Sequence, residues 1–444
     1  MGHRAPVVNV FRAFGREFFA ATSRDRSGES RGSRRRGERR APASRDHGDD
    51  SSVRRYACGV GTTHRGPALL GLIAAFAVAL AAPLAAKELA AAQGASIDMP
   101  SGFTPGDGDG RARFSYVDPA DEMELDILVY EPRRFASAAA MAAELLKTLG
   151  SQGDTSTFGY AGRDAALSEL SFTFGGVAER GYALFVAGKA GEADYALLAH
   201  VAAERFDAYG EYIISCLDGF SIDRAARREP GPISQFLLAW PPDRAARTTA
   251  VLPGGPVEIP WSDEEAAHEL DVVIREYRVL ALYAETDELW IDAWARFYRM
   301  VYRESASRLD ALTGAVARSL PLDDPTECAR RVLAWVQGFS DAGDDSGIDF
   351  VPPLPAAFER RGDCDARAVV MAIVLERLGI DCVLMLSREY SHAMVGVGVP
   401  GGGQRFPFNG REYLVAETTD HVGLGMIAAE QADTSKWLGV DVGD

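Results

Sequence analysis

The stretch GDCDARAVVMAIVLERLGIDCVLML, from Gly362 to Leu386, constrains the fold more than any other part of this chain. Between Gly362 and Gly379 it reads as a helix that is apolar on most faces, through Val369, Val370, Ile373, Val374 and Leu378. Such a helix offers no face to water, so it must sit inside a core with other elements packed around it. Gly362 permits a tight turn and Asp363 can cap, which places Cys364 on the first helical turn. There the positive end of the helix dipole favours loss of the thiol proton, the placement a nucleophilic cysteine needs.

Beyond the helix, the residues come in the order that cysteine chemistry requires. Cys382–Leu386 reads as a strand, and Ser391-His392-Ala393-Met394-Val395-Gly396-Val397 puts His392 at the head of another. A Pro400-Gly401-Gly402-Gly403 loop and an Asn409-Gly410 turn lead to Tyr413–Glu417. Neighbouring strands lie about 5 Å apart, so Glu417 can reach His392 and hold its imidazole. Asp420 is a fallback acid and His421 an alternative base. Cys216, Cys328 and Cys382 are read as structural, although a Cys364–Cys382 disulfide would silence the thiol.

GDCDARAVVMAIVLERLGI, SHAMVGV and YLVAETT together resemble the transglutaminase-like cysteine peptidase superfamily, and ARRVLAWVQGF resembles the helix that leads into its catalytic helix. The resemblance covers roughly residues 325–425. It implies a papain-like core in which a catalytic helix packs on an antiparallel sheet. It also implies Cys364 as nucleophile, His392 as base and Glu417 as orienting acid, with no cofactor or metal. The usual acid is an Asp in a sequence like Asp-Pro-Thr, whereas here Glu417-Thr418-Thr419 stands in its place. The implied reaction proceeds through an acyl-enzyme on a protein or peptide substrate, with the Cys364 N–H and one further donor, Gln337 or Trp335, holding the oxyanion. Water as acceptor gives hydrolysis, the preferred reading; an amine gives cross-linking. A non-catalytic envelope scaffold is the other alternative.

The rest of the chain is expected to be α+β. Residues 96–225 read as a small unit: a strand over Met123–Tyr130, a helix over Phe135–Leu149 closed by Gly150, a strand marked by Ala166, Leu170, Phe172 and Phe174, a hairpin of Tyr182–Ala187 with Tyr195–Val201, and a helix over Phe206–Leu217. That order loosely resembles the PsbP/Mog1-like fold of exported bacterial proteins, an α/β sandwich. His200 is expected in a strand without a ligand role, and Asp107-Gly108-Asp109-Gly110 as a turn. Prolines crowd 226–260, a linker or irregular crossing segment. Residues 261–444 then hold a helical lead-in and the catalytic core. The lead-in opens on a Ser262-x-x-Glu265 capping box. An apolar stripe from Trp290, Trp294 and Phe297 on to Val316 reads as one long helix whose aromatics are core packing. Asp324, Pro325 and Glu327 start the next helix. The acidic loop Asp341, Asp344, Asp345 and Asp349 fits no standard calcium loop and reads as a solvated turn.

Charge divides the chain unevenly. Residues 1–65 hold 15 Arg against 7 acidic residues, and the remainder 32 basic against 57 acidic. The acidic body argues against a nucleic-acid partner. The Arg-rich head lacks apolar periodicity and reads as disordered, its start assigned too early. Residues 66–92 read as an export signal or membrane anchor, carried by the uncharged Gly66–Ala86, so the protein is expected outside the cytoplasm.

Overall fold

Alternation decides the first sheet. The computed structural model describes residues 94–443 apart from 245, 285 and 342–349, together with the short strand Lys87–Glu88. The Arg-rich head, the export segment and most of the acidic loop lie outside the described residues. From the start run β1 (Lys87–Glu88), β2 (Ser96–Ile97), β3 (Thr104–Pro105), β4 (Arg113–Val117) and β5 (Met123–Tyr130). In β5, Met123, Leu125 and Ile127 are buried while Glu124 and Asp126 are half-buried, the period of two that a strand imposes. After helix α1 (Ala138–Leu149) come β6 (Thr155–Tyr160), β7 (Arg163–Phe174), β8 (Val177–Ala187) and β9 (Asp194–Ala202). These form a seven-stranded antiparallel sheet in the order β3-β4-β5-β9-β8-β7-β6.

Each face of this sheet carries one helix. Met141, Leu145 and Leu146 of α1 pack on Leu170, Phe185 and Leu198. The opposite parity serves α2 (Phe206–Asp218), where Phe206 meets Tyr182 at 5.6 Å. Ser137 caps α1 by accepting from the Ala140 N–H at 3.1 Å, and Gly150 ends it with φ 65°, a left-handed conformation that suits glycine. His200 bonds Glu179 through Nδ1 at 3.2 Å, and Asp109 Oδ1 accepts three successive N–H groups, from Arg111, Ala112 and Arg113. The histidine is part of the sheet's packing and the aspartate makes a turn.

The proline-rich stretch is not featureless. Past β10 (Phe220–Ser221), which pairs with β2, it forms α3 (Pro232–Leu237) and a hairpin of β11 (Ala246–Leu252) with β12 (Gly255–Trp261). Its prolines fall where they do least harm: Pro232 opens a helix, and Pro256 and Pro260 lie in a two-stranded ribbon with free edges.

The lead-in is four helices: α4 (Asp263–Ala281), α5 (Asp287–Ala306), α6 (Asp310–Ala317) and α7 (Pro325–Gln337). Ser262 caps α4, accepting from the Glu265 N–H at 3.2 Å, but the capping box is not reciprocal. The Glu265 carboxylate is taken by Arg244 at 2.5 Å and by Arg308 at 3.3 Å. The single long helix expected through Val316 breaks at Ser307–Leu309, beside the fully buried Arg308. The aromatic stripe divides too, since Phe297 and Tyr298 are buried whereas Trp290 and Trp294 are only half-buried.

A buried ionic network joins the lead-in to α2. Arg275 of α4 meets Asp218 at 2.5 Å and Glu276 at 2.8 Å. Arg296 of α5 meets Glu276 at 2.9 Å and donates to the Ser215 carbonyl at 2.9 Å. Arg303 donates to the carbonyls of Asp218 and Phe220, both at 2.8 Å. Burial alone would raise the Asp218 carboxyl, but Arg275, Arg303 and the Ser234 N–H hold it below the ordinary range.

The remaining elements are α8 (Pro353–Glu359), α9 (Cys364–Arg377), β13 (Cys382–Ser387), β14 (His392–Val397), β15 (Arg405–Phe408), β16 (Arg411–Ala416) and β17 (Leu438–Asp441). They give a five-stranded antiparallel sheet, β15-β16-β14-β13-β17, with α9 packed against β13 and β14. From Ala366 to Leu375 every residue of α9 is buried, as its composition required. The architecture is mixed α/β with two large antiparallel sheets, and the described residues belong to one compact unit. Among the described residues no helix is long and apolar enough to cross a membrane.

Removing Asp218 takes one of its two carboxylate partners from buried Arg275 and frees the N–H groups of Ile233 and Ser234 that it accepts from. Asp218→Ala should therefore lower the unfolding free energy in denaturant titration by about 3–5 kcal/mol. Arg134→Ala, which breaks the exposed pair with Glu144, should change it by less than about 0.5 kcal/mol.

Candidate active site

The sequence of the loop before α9 fixes where the thiol points. Gly362 has φ 150°, and a Cβ there would come within 2.7 Å of the Ala366 side chain, so only glycine fits the turn. Asp363 then caps α9 by accepting from the Ala366 N–H at 3.0 Å. Arg367 ties the turn down, its Nε donating to the Gly362 carbonyl at 2.8 Å. Cys364 is thereby held on the first turn, half-buried.

His392 begins β14 opposite Ser387 of β13, and Ser391 before it is forced to φ 48°, a left-handed conformation at a residue that is not glycine. The imidazole lies edge-on to Trp437, with ring centroids 6.2 Å apart. Its Nε2 bonds Glu417 Oε2 at 2.8 Å. The other oxygen of Glu417 accepts from the Thr419 N–H at 2.7 Å and the Thr419 hydroxyl at 2.6 Å. Burial would raise this carboxyl, but His392 and Thr419 outweigh it and hold it below its ordinary value. Thr419 thus serves the carboxylate, and the Glu417 side chain reaches the ring.

The structure brings Cys364 to the same strand. The backbone N–H of Ala393, the residue after His392, aims at the sulfur, as does that of Asp365. With Nε2 held by Glu417, Nδ1 is the ring nitrogen left for a proton from the thiol. The electrostatics differ from the expectation drawn from helix position alone. Burial, together with the charges of Asp365 and Asp363, pushes the thiol from its ordinary 9 up to about 12. Two carboxylates on the first turn and the loss of water outweigh the dipole.

The other candidates fall elsewhere. Gln337 donates its amide hydrogens to the carbonyls of Glu417, at 2.8 Å, and Val422, at 2.9 Å, clamping the acid's strand end. Trp335 Nε1 donates to the Val251 carbonyl at 2.8 Å. Neither is free to hold an oxyanion. Asp420 and His421 are exposed, and Asp420 only directs its N–H toward Glu417 at 3.5 Å. Cys382 donates to the Ala372 carbonyl at 3.6 Å, and Ala372 lies eight residues along α9 from Cys364, roughly 12 Å of helix, so a Cys364–Cys382 disulfide does not form. Among the described residues no group of three or more His, Cys, Asp or Glu could hold a metal ion.

No family model and no curated protein matches the sequence. Weak fold-level similarity exists to solved structures of a few proteins. Cyanobacterial PsbP from Synechocystis aligns at 15% identity over 29% of this chain and 86% of its own, with a TM-score of 0.25. LpqN of Mycobacterium tuberculosis, described as involved in cell envelope biogenesis, aligns at 16% identity over 29% of this chain and 84% of its own, with a TM-score of 0.24. A Bacteroides thetaiotaomicron protein aligns at 12% identity over 49% of this chain and 76% of its own, with a TM-score of 0.22.

The Glu417 cage makes a pH signature. A carboxyl held low in the folded protein stabilises it fully above the ordinary value of 4.5, and that contribution disappears as pH falls through the lower folded-state value. The stability margin of wild type over Glu417→Gln in denaturant titrations should shrink as pH falls below about 4.5.

Proposed function

We propose that this chain is a thiol-dependent hydrolase of peptide or amide bonds, acting through Cys364, His392 and Glu417 outside the cytoplasm. One observation carries the reading. A carboxylate fixed by Thr419 holds His392 Nε2 at 2.8 Å, while the Cys364 sulfur lies under the N–H of the very next residue. A thiol, an imidazole and an orienting acid in that relation are the parts of a cysteine hydrolase. The motif resemblance of residues 325–425 to transglutaminase-like peptidases supports the same roles. Export rests on the Gly66–Ala86 segment.

In the mechanism, His392 Nδ1 takes the thiol proton as sulfur attacks the carbonyl carbon. The Cys364 N–H, one of the four groups without an intrahelical partner, faces the developing oxyanion. His392 returns the proton to the leaving amine, and water then releases the acyl group from Cys364. Glu417 keeps the imidazole oriented and stabilises it while it is charged.

A second reading has its own observation. The thiol held near 12 suits a binding protein whose cysteine does no chemistry. A panel of fluorogenic peptide amides separates the two. Hydrolysis should be abolished in Cys364→Ala, fall by at least about a thousandfold in His392→Ala, and by at least about a hundredfold in Glu417→Gln. Turnover that survives Cys364→Ala would refute the hydrolase reading. Peptide binding without turnover, equal in wild type and Cys364→Ala, would establish the binding protein.

A further inference from the structure

The thiol has an acidic neighbour that the trio does not use. Cys364 Sγ donates to Asp365 Oδ1 at 3.8 Å. The Asp365 carboxylate in turn accepts from the hydroxyl of Tyr298 on α5, a residue only 2% exposed. Tyr298 cannot swing away, because its ring is wedged against Phe297 at 5.2 Å, Trp294 at 6.2 Å and Phe350 at 6.4 Å. The carboxylate next to the sulfur is therefore placed by the lead-in helices, not by α9 alone.

We propose that Asp365, held by Tyr298, is a positioning residue that keeps the proton on Cys364 in the resting protein, so that sulfur becomes nucleophilic only when His392 removes that proton at a bound carbonyl. The inference rests on the reading of Cys364 as the nucleophile. In the transfer the S–H bond breaks, its proton goes to His392 Nδ1 and its electron pair stays on sulfur. That pair forms the bond to the carbonyl carbon, whose π electrons move to oxygen. A thiol kept protonated also resists oxidation better than a thiolate does, which matters for a cysteine exported to an oxidising compartment.

Several elements surround the sulfur, and each contributes a defined group. Asp363 and Asp365 come from α9 and its cap, Tyr298 from α5, and His392 with the Ala393 N–H from β14. Gln337 of α7 and Arg360 after α8 are turned to backbone carbonyls, of Glu417 and Gly338 respectively. Burial raises the thiol most, Asp365 and then Asp363 add to it, and the two backbone N–H groups only partly oppose them.

The test is the rate of iodoacetamide alkylation of Cys364 against pH in the full chain, read by mass spectrometry of the Cys364 peptide. Wild type should label slowly at pH 8 with a midpoint well above that of a free thiol. Asp365→Asn should lower the midpoint and speed labelling at pH 8 by at least about tenfold, one unit of thiol ionisation. Tyr298→Phe releases the carboxylate from its place beside the sulfur and should speed labelling by a smaller factor; general loosening would speed Asp365→Glu as well. Asp365→Glu keeps the charge and should label like wild type, which covers the case of a poorly folded Asn variant. An ordinary thiol midpoint in wild type, or Asp365→Asn labelling at the wild-type rate, would overturn the proposal. The hydrolysis panel is a separate readout: turnover surviving Cys364→Ala undoes the catalytic reading even if the labelling shifts are as expected.

Discussion

The buried arginines of α4 and α5 are what the rest of the structure depends on. Arg275, Arg296 and Arg303 each have side chains under 10% exposed, and their partners are Glu276 of α4 together with groups of α2 and the segment after it. A guanidinium buried without those partners is strongly destabilising, so the lead-in helices keep this arrangement only when the seven-stranded sheet presents α2 to them. The reverse also holds, because Asp218 and the Ser215 carbonyl need the arginines. This mutual requirement explains why the residues before and after the proline-rich stretch form one unit rather than two that merely share a chain. It reaches the site through α5, which carries Arg296 and Arg303 on one side and Tyr298, against Asp365, on another.

At the site two demands oppose each other. Thr419 and His392 keep the buried Glu417 carboxyl charged, while burial, Asp365 and Asp363 keep the thiol uncharged. The resting state consistent with both is a neutral thiol beside an oriented histidine. In the hydrolase proposed above, proton transfer then belongs to the reaction rather than to the resting protein. The clamp of Gln337 on the Glu417 and Val422 carbonyls gives the acid its fixed position, and it ties α7 to the end of β16.

Much of this is legible in the residues themselves, and the reasons differ by element. The strand at Met123–Tyr130 announces itself by alternation, and α9 by apolarity between two glycines. The approach of His392 to Glu417 follows from strand spacing alone. Long-range partners are not legible. Nothing near Glu265 in sequence says that its carboxylate serves Arg244 and Arg308 rather than its own helix cap. Trp335 and Gln337 carry donors that the motif resemblance offers to an oxyanion; the fold shows β11 and the Glu417 turn taking them instead. The thiol departs from its expected protonation chiefly because the fold buries it, which no local pattern announces; the charges of Asp365 and Asp363, which flank it in the sequence, add to that. The β11–β12 hairpin is hidden because prolines mask a strand pattern.

If Cys364 is the nucleophile and His392 its base, a covalent acyl intermediate must form on that one sulfur. Intact-mass and peptide mass spectrometry after acid quench, with a peptide thioester as acyl donor, tests this most directly. The expected result is a mass gain equal to the acyl group, on the Cys364 peptide, that builds within a burst and is lost in His392→Ala. Acylation spread over other residues, or a Cys364 adduct that forms equally fast without the histidine, would contradict it.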